Sequence, residues 1–177
     1  MPNLIRLFLH SNSMSDVSSL SGLTRLRTLI LDNNSISNIT PLSGLTSLTS
    51  LLLSRNNISD ISVLSGLTNL LSLSLSRNNI ANLTPLSGLN SLRSLSLSSN
   101  NISDLSPLVA NTGLGSGDRV DVRNNPLSAT SINTHIPILQ DRGIELRFGA
   151  LKPAVEKIKQ DIFREMMELL EIEERGN

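Results

Sequence analysis

Residues 26–47 read LRTLILDNNSISNITPLSGLTS, and the chain repeats this pattern every 22 residues. Each copy has the form LxxLxLxxNxIxxLxxLxxLxx, and the copies begin at Leu4, Leu26, Leu48, Leu70 and Leu92. Leu, Ile, Val or Met fills every apolar position of the five copies except one, which is Asn111. A unit this short cannot bury its own apolar face. The strict repetition therefore predicts a stack in which each copy packs against its neighbours.

Each copy divides into a strand, an inward turn and an outer turn. Leu29 and Leu31 alternate with polar or exposed positions, which predicts a short strand with one buried face. The repeated asparagine is expected to satisfy backbone groups where the chain turns inward; it recurs at Asn12, Asn34, Asn56, Asn78, Asn100 and Asn125. Thr40 before Pro41 suits the N-cap of a helical turn, partly 3₁₀, on the outer face. Asp16, Asp60 and Asp104 are interpreted as turn formers.

These residues resemble the leucine-rich repeat family, in particular the 22-residue class found in bacterial internalins. The resemblance covers about residues 4–148. It implies an α/β fold, a right-handed solenoid with a parallel sheet on the concave side and short 3₁₀ or helical turns on the convex side. It also implies that the protein binds a protein or peptide on the concave face.

The chain divides into three predicted regions. Residues 1–110 hold five repeats without an N-terminal cap, residues 111–148 a sixth strand and a C-terminal cap, and residues 149–177 a linker and an amphipathic helix. In the cap we expect a strand at 120–123, a helix from Ser128 that stops at Arg142-Gly143, and a last strand at 144–148. This cap is similar to those of bacterial leucine-rich proteins, which suggests a bacterial origin.

The tail differs in composition from the repeats. Residues 1–150 carry a formal charge of +2 and no lysine, whereas residues 151–177 carry −2, all three lysines and six of the seven glutamates. An apolar stripe at helical spacing predicts an amphipathic helix; its members are Val155, Ile158, Ile162, Phe163, Met166, Leu169 and Leu170. About 20 helical residues would span about 30 Å, close to the width of six strands. Self-association, docking on the chain's own solenoid and recognition of another protein all remain open.

The concave face is read by columns of equivalent residues in successive repeats. One column begins with Phe8, Ile30 and Leu52, which form an apolar patch at solvent-facing strand positions, and continues with serines. Asp32, Arg55 and Arg77 border this patch, and apolar anchors with arginine at the rim are typical of binding hot spots. Cover by the tail helix and simple sequence drift are the alternative interpretations. The like charges of Arg55 and Arg77 on adjacent repeats repel each other, unless an anion binds to them or the side chains splay apart.

Several classes of function find no support in the sequence. A net charge of zero leaves no electrostatic footprint for nucleic acid or an anionic membrane, and no apolar run is long enough to span a bilayer. Without cysteine there is no thiolate nucleophile, disulfide or thiolate metal site. His10, Asp32 and Ser54 share a column, but aspartate rather than histidine is central, so we reject a hydrolase triad. No cofactor, metal site or catalytic residue is expected.

The leading hypothesis is a non-enzymatic binding module whose contact residues are Phe8, Ile30, Asp32, Leu52, Arg55 and Arg77. The alternative is an engineered or truncated repeat scaffold that presents a fused C-terminal helix, which binds a partner or self-associates. Because no cap covers the first repeat, a homodimer through this end or through the tail is also conceivable. The first residues lack the basic region and the long apolar stretch of a signal peptide. A fragment of an exported protein is one interpretation, and the localisation stays open.

Overall fold

The computed structural model describes residues 3–149. Within this range, seven three-residue strands form one parallel sheet in the order of the chain. They are β1 (Arg6–Phe8), β2 (Thr28–Ile30), β3 (Ser50–Leu52), β4 (Ser72–Ser74), β5 (Ser94–Ser96), β6 (Arg119–Asp121) and β7 (Glu145–Arg147). The predicted tail helix, with its apolar positions from Val155 to Leu170, lies outside the described residues.

The register of the sheet follows the 22-residue period of the sequence. One inward-facing column consists of Leu7, Leu29, Leu51 and Leu73. The register slip after Asn111 is absorbed in the loop before β6, because Leu95 still pairs with Val120 in the next strand. Inward-facing Leu, Ile and Val side chains of the repeats form one continuous core behind the sheet. The predicted α/β solenoid with a parallel sheet is confirmed.

Short helical turns form the opposite face, as the Pro and Gly pattern predicts. They are the 3₁₀ turns Ser18–Leu20, Thr40–Leu42, Ser62–Gly66 and Thr84–Leu86, followed by α1 (Ser106–Ala110). Each turn buries its leucine, as at Leu42 and Leu64, against the core. Three residues suffice because each turn only has to reverse the chain above the core before the next strand begins.

The caps of these turns differ from the prediction. Thr40 is already the first residue of its turn and its side chain makes no cap bond. The Thr40 N–H instead donates to Oδ1 of Asn38 at 2.9 Å, and the Ser62 N–H donates in the same way to Oδ1 of Asp60 at 2.8 Å. A side chain two residues before the N–H therefore supplies the acceptor, and the interpretation of these aspartates as turn formers is confirmed.

The asparagines form a ladder inside the stack. Nδ2 of Asn56 donates to the carbonyls of Leu31 and Leu53, each at 3.0 Å, while its Oδ1 accepts the N–H of Ile36 at 3.0 Å. Asn78 repeats these bonds one layer further along. Each amide thus joins two successive repeats and satisfies backbone groups that have no strand partner, which confirms the predicted structural role.

The C-terminal end of the stack is closed by a helical layer and β7. A π-helical turn (Ser131–His135) runs into α2 (Ile136–Asp141), and the Gly143 N–H donates to the Gln140 carbonyl at 2.8 Å. Gly143 has a φ of 80°, a left-handed conformation that suits glycine and ends the helix as predicted. β6 begins one residue earlier than expected, at Arg119.

Two polar side chains explain the irregular repeat before this cap. The buried Asn111 donates to the carbonyls of Leu86 and Leu89 at 2.8 and 3.2 Å, so the break in the apolar pattern continues the hydrogen bonding between layers. Arg142 reaches back to the carbonyl of Val109 at 2.6 Å and that of Asn111 at 3.1 Å. Between residues 3 and 149, no helix is long and apolar enough to cross a bilayer.

Candidate functional site

The sheet register places the three predicted apolar contact residues in one row. Phe8 pairs with Ile30 and Ile30 with Leu52, on adjacent strands about 4.8 Å apart. Their side chains point away from the core, because the leucines immediately before and after each of them pack into or against it. Phe8 is 54% exposed, and Ile30 and Leu52 are half-buried. We call these three residues the apolar row.

The same column becomes polar in the later repeats. Ser74 and Ser96 follow Leu52 in register, and their hydroxyls pair with Ser54 Oγ and Ser76 Oγ, each at 2.6 Å. These serines show that the stack accepts a small polar side chain at this position, where a neighbouring hydroxyl can bond to it. Apolar residues at the first three strands are therefore not demanded by the stack.

Asp32 lies beside the apolar row and serves the backbone. Its Oδ1 accepts the N–H of Ser54 at 2.6 Å, across the gap between two repeats. The carboxylate sits between His10 and Ser54, as the columns predict, but the Ser54 hydroxyl bonds to Ser74 and not to a histidine. This arrangement gives no path for a proton from serine to imidazole.

The predicted arginines Arg55 and Arg77 occupy a special backbone position that the sequence analysis missed. Both are exposed and lie on adjacent repeats, and both have left-handed backbones, with φ of 58° and 57°. The equivalent residue is left-handed in every repeat: Ser11, Asn33, Ser99 and Asn124. Its N–H donates to the carbonyl of the next repeat, as from Arg55 to Ser76 at 2.8 Å. The two asparagines of this column, Asn33 and Asn124, were the sequence signal, since Asn tolerates this conformation better than most residues other than glycine.

A second exposed apolar pair flanks the sheet and was also missed. Ile5 is 39% exposed and Leu71 46% exposed, and both immediately precede strands of the N-terminal half. They line a groove of about 540 Å³ together with Arg25, Arg27, Ser47, Thr49, Asn69 and Ser91. Comparing the second positions of the five repeats would have found both residues, because the other three repeats have Arg or Thr there.

The C-terminal half of the concave face is charged but internally paired. Arg119 Nε lies 2.8 Å from Glu145 Oε2, and Arg123 Nη2 lies 2.6 Å from Asp121 Oδ2. Burial opposes ionisation of Asp121, but the hydrogen bonds and charge of Arg123 outweigh it and lower the pKa of this carboxyl. Two arginines of this half are thus paired, and the charge of Arg147 on the next strand also lowers the pKa of Asp121.

No group of three or more His, Asp or Glu side chains in the described part of the chain is arranged to hold a metal ion. His135, which the sequence assigns to cap packing, is half-buried with Nδ1 3.5 Å from Asp104 Oδ1. The two residues come from different layers, 31 positions apart, so their proximity could not be read from local sequence.

Comparison with known proteins agrees with this architecture. Residues 2–44, 46–88 and 68–110 each match a family model that describes two copies of the leucine-rich repeat. The fold is similar to internalin C2 from Listeria monocytogenes, with a TM-score of 0.72 and 33% identity over 82% of this chain and 62% of that one. Internalin F from the same bacterium gives a TM-score of 0.74 and 29% identity over 86% of this chain and 45% of that one.

A leucine-rich repeat protein from Leptospira interrogans is 25% identical, with a TM-score of 0.73, over 84% of this chain and 38% of that one. This chain thus spans less than two thirds of each of these three structures. A comparison with curated proteins found no match. The family match, the repeat register and the shared fold together show that the chain belongs to the leucine-rich repeat family, in its internalin-like class.

Proposed function

We propose that the protein is a non-enzymatic module that binds a protein or peptide on the N-terminal half of its concave face. The observation that carries this proposal is the apolar row, Phe8, Ile30 and Leu52, on three adjacent strands at positions where the later repeats have serine. Exposed apolar side chains grouped in one place favour an interface, and arginines at the rim are common in binding hot spots. Membership of the leucine-rich repeat family supports an interaction role.

The apolar row lies in a concave surface with further contact groups on both sides. Arg55 and Arg77 border it on one flank, and the groove of Ile5 and Leu71 borders it on the other. A partner seated on the row could therefore contact three neighbouring columns at once. Since each strand holds only three residues in a rigid register, such contacts need little rearrangement of the sheet.

A random 12-residue peptide library displayed on phage tests the proposal without a known partner. The library is selected on the immobilised full chain, and enriched peptides are measured against Ile30→Ser/Leu52→Ser. Serine is the native residue at the equivalent positions 74 and 96, so this variant keeps the repeat consensus and removes only the apolar surface. We expect peptide affinity to fall about tenfold or more, because two partly buried apolar contacts are lost.

The matched control is Ser74→Ala/Ser96→Ala, which changes the same column in later repeats. Enriched peptides should bind this control and the wild type equally well. Peptides that bind Ile30→Ser/Leu52→Ser as tightly as the wild type, or a library that yields no enriched peptide, would contradict the proposal. Circular dichroism melts of all variants separate lost binding from lost folding.

The tail hypothesis is tested separately. If the predicted tail helix joins two copies, full-length protein measured by light scattering on a sizing column is a dimer, and Ile162→Asp/Met166→Asp is a monomer. The reason is that two carboxylates in an apolar seam carry a large desolvation cost. Equal masses for wild type and variant would exclude assembly through this stripe.

A further inference from the structure

Charge is distributed unevenly over the concave face. On one flank of the first four repeats, Arg25 donates to Asn3 Oδ1 at 2.7 Å. The other four exposed arginines of the face and its flanks make no side-chain hydrogen bond or ion pair with any described residue. They are Arg6, Arg27, Arg55 and Arg77. Asp32 is the single described carboxylate in the concave-face columns of these four repeats, and it already accepts the Ser54 N–H. In the C-terminal half, by contrast, Asp118, Glu145 and Asp121 form ion pairs with Arg93, Arg119 and Arg123, and the charge of Arg147 also acts on Asp121.

Arg55 and Arg77 are also not required by the backbone that they occupy. Their column demands a left-handed conformation, which Asn tolerates better than a long side chain does, and Asn is native at positions 33 and 124 of the same column. Two arginines side by side repel each other across one strand spacing. Neither the local conformation nor an ion pair within residues 3–149 accounts for this pair of positive charges.

The pair lies next to the apolar row. Arg55 follows Leu52 by three residues, which is at most about 10 Å of chain, and Arg77 is its neighbour in the next repeat. Guanidinium groups bind carboxylates through two parallel hydrogen bonds, and such bonds are stronger than those between neutral groups. A segment with an apolar side chain on Leu52 would place a nearby carboxylate within reach of both arginines.

We propose that the partner is an acidic peptide segment, in which apolar anchors occupy the apolar row and neighbouring Asp or Glu side chains bind Arg55 and Arg77. This inference rests on the proposed function and names the chemistry of its ligand. It also implies discrimination, because a lysine or arginine at the same place in a partner would meet two unanswered positive charges.

The phage selection described above supplies the probes for the test. Enriched peptides are synthesised with a fluorescent label, each beside a version in which Glu is replaced by Gln and Asp by Asn, and their anisotropy is measured on the full chain. We expect acidic residues to be enriched, and the neutral versions to bind about tenfold more weakly, which is the worth of one charge-assisted hydrogen bond. Affinity of the acidic versions should also fall as salt is raised.

Arg55→Asn/Arg77→Asn should remove this preference, so that acidic and neutral peptides bind alike. Because Asn is native elsewhere in the column, the variant is expected to fold. Arg119→Asn/Arg123→Asn is the matched control: it removes two positive charges from the same face, where they are already paired, and should change acidic-peptide affinity less than twofold.

The outcomes separate the two proposals. Peptides that depend on Ile30 and Leu52 but show no acidic enrichment and no response to Arg55→Asn/Arg77→Asn would overturn this inference and leave the proposed function intact. Loss of all concave-face binding would overturn both. Binding of acidic peptides that appears only in Ile162→Asp/Met166→Asp would mean that the chain's own tail occupies the surface, which would overturn the proposal of a separate partner.

Discussion

At the scale of single residues, the asparagine ladder shows how a polar side chain stabilises an apolar stack. Asn78 donates to the Leu53 and Leu75 carbonyls and accepts the Ile58 N–H, and only 8% of it is exposed. Asn12 occupies the same place in the first repeat but is exposed and donates only within its own repeat, to Leu9 and His10. The same residue type in the same motif therefore has two different energetic roles.

We expect Asn78→Ala to lower the free energy of unfolding by about 3 kcal/mol, because buried backbone groups of two repeats lose their partners. Asn12→Ala should cost less than about 1 kcal/mol, since water reaches the groups that it leaves. Urea denaturation followed by circular dichroism measures both values. Equal losses for the two variants would mean that the bonds between repeats contribute little.

The aspartates that cap the outer turns make stability depend on pH. The backbone N–H and the hydroxyl of Ser18 lower the pKa of Asp16 below its ordinary 3.8, and Ser62 does the same for Asp60. The folded chain thus binds these protons less readily than the unfolded chain. Their contribution to stability is complete above the unfolded pKa and is lost as the pH falls through the lower folded pKa.

Asp16→Asn/Asp60→Asn is expected to weaken this acid dependence and to lower stability slightly at pH 7, because the amide keeps the backbone bond but loses the charge and the second acceptor oxygen. An Asn Oδ1 does not titrate in this range and makes the same bond natively at Asn38 and Asn82, each at 2.9 Å. Urea midpoints at pH 7 and pH 3 provide the measurement. A drop between the two pH values as large as that of the wild type would show that these caps are not responsible.

At the scale of elements, the sequence predicts the type of each element better than its edges. The strand in each repeat and the turn opposite it were both expected from apolar spacing, and both are present. Thr40 was assigned the wrong role: it was expected to be the N-cap but is the first residue of the turn. A threonine before proline is compatible with either position. The acceptor at Asn38 becomes evident only once the backbone position of the turn is known.

Gly113 illustrates how closely two outer elements approach. A Cβ at this position would overlap the backbone of Asn90 in the preceding repeat, whereas a Cβ at Gly88 would meet no atom within 4 Å. We expect Gly113→Ala to lower the free energy of unfolding by about 2–4 kcal/mol, because backbone must move to make room. Gly88→Ala should change it by less than about 1 kcal/mol, and thermal melts of the pair decide the matter. Similar melting for both variants would contradict the close approach.

At the scale of the whole molecule, stability depends on the contact of each layer with its neighbours. Leu51 in β3 has a repeat on either side and is fully buried, whereas Leu7 in β1 has a described neighbour on one side and stays partly exposed. A solenoid has no single centre, so the position of a residue along the stack decides how much its burial contributes.

Leu51→Ala is therefore expected to cost about 3 kcal/mol and Leu7→Ala about half of that or less, although both occupy the same place in the repeat. Urea denaturation gives the free energies. Hydrogen exchange followed by mass spectrometry should show faster exchange in residues 4–25 than in residues 48–69. Equal costs and uniform exchange would show that the first layer is covered in solution.

The stack of strands and turns, the inward asparagines and the apolar row were all available from residue spacing, and the family was indicated by the resemblance of the repeated motif. The 22-residue period places equivalent residues side by side once the chain is assumed to stack, so a column of the sequence is a column of the sheet. For the same reason Ile30 and Leu52 could be assigned to one surface before any coordinates were known.

Folding decided the features that depend on backbone angles and on groups far apart in the chain. The left-handed column that carries Arg55 and Arg77 is marked in the sequence only by the asparagines at equivalent positions. The bonds from Arg142 to the carbonyls of Val109 and Asn111 and the pairing of Arg119 with Glu145 have no local signature. Periodicity reports which residues are equivalent. The ion pairs, in contrast, depend on side chains that meet only when the layers have stacked.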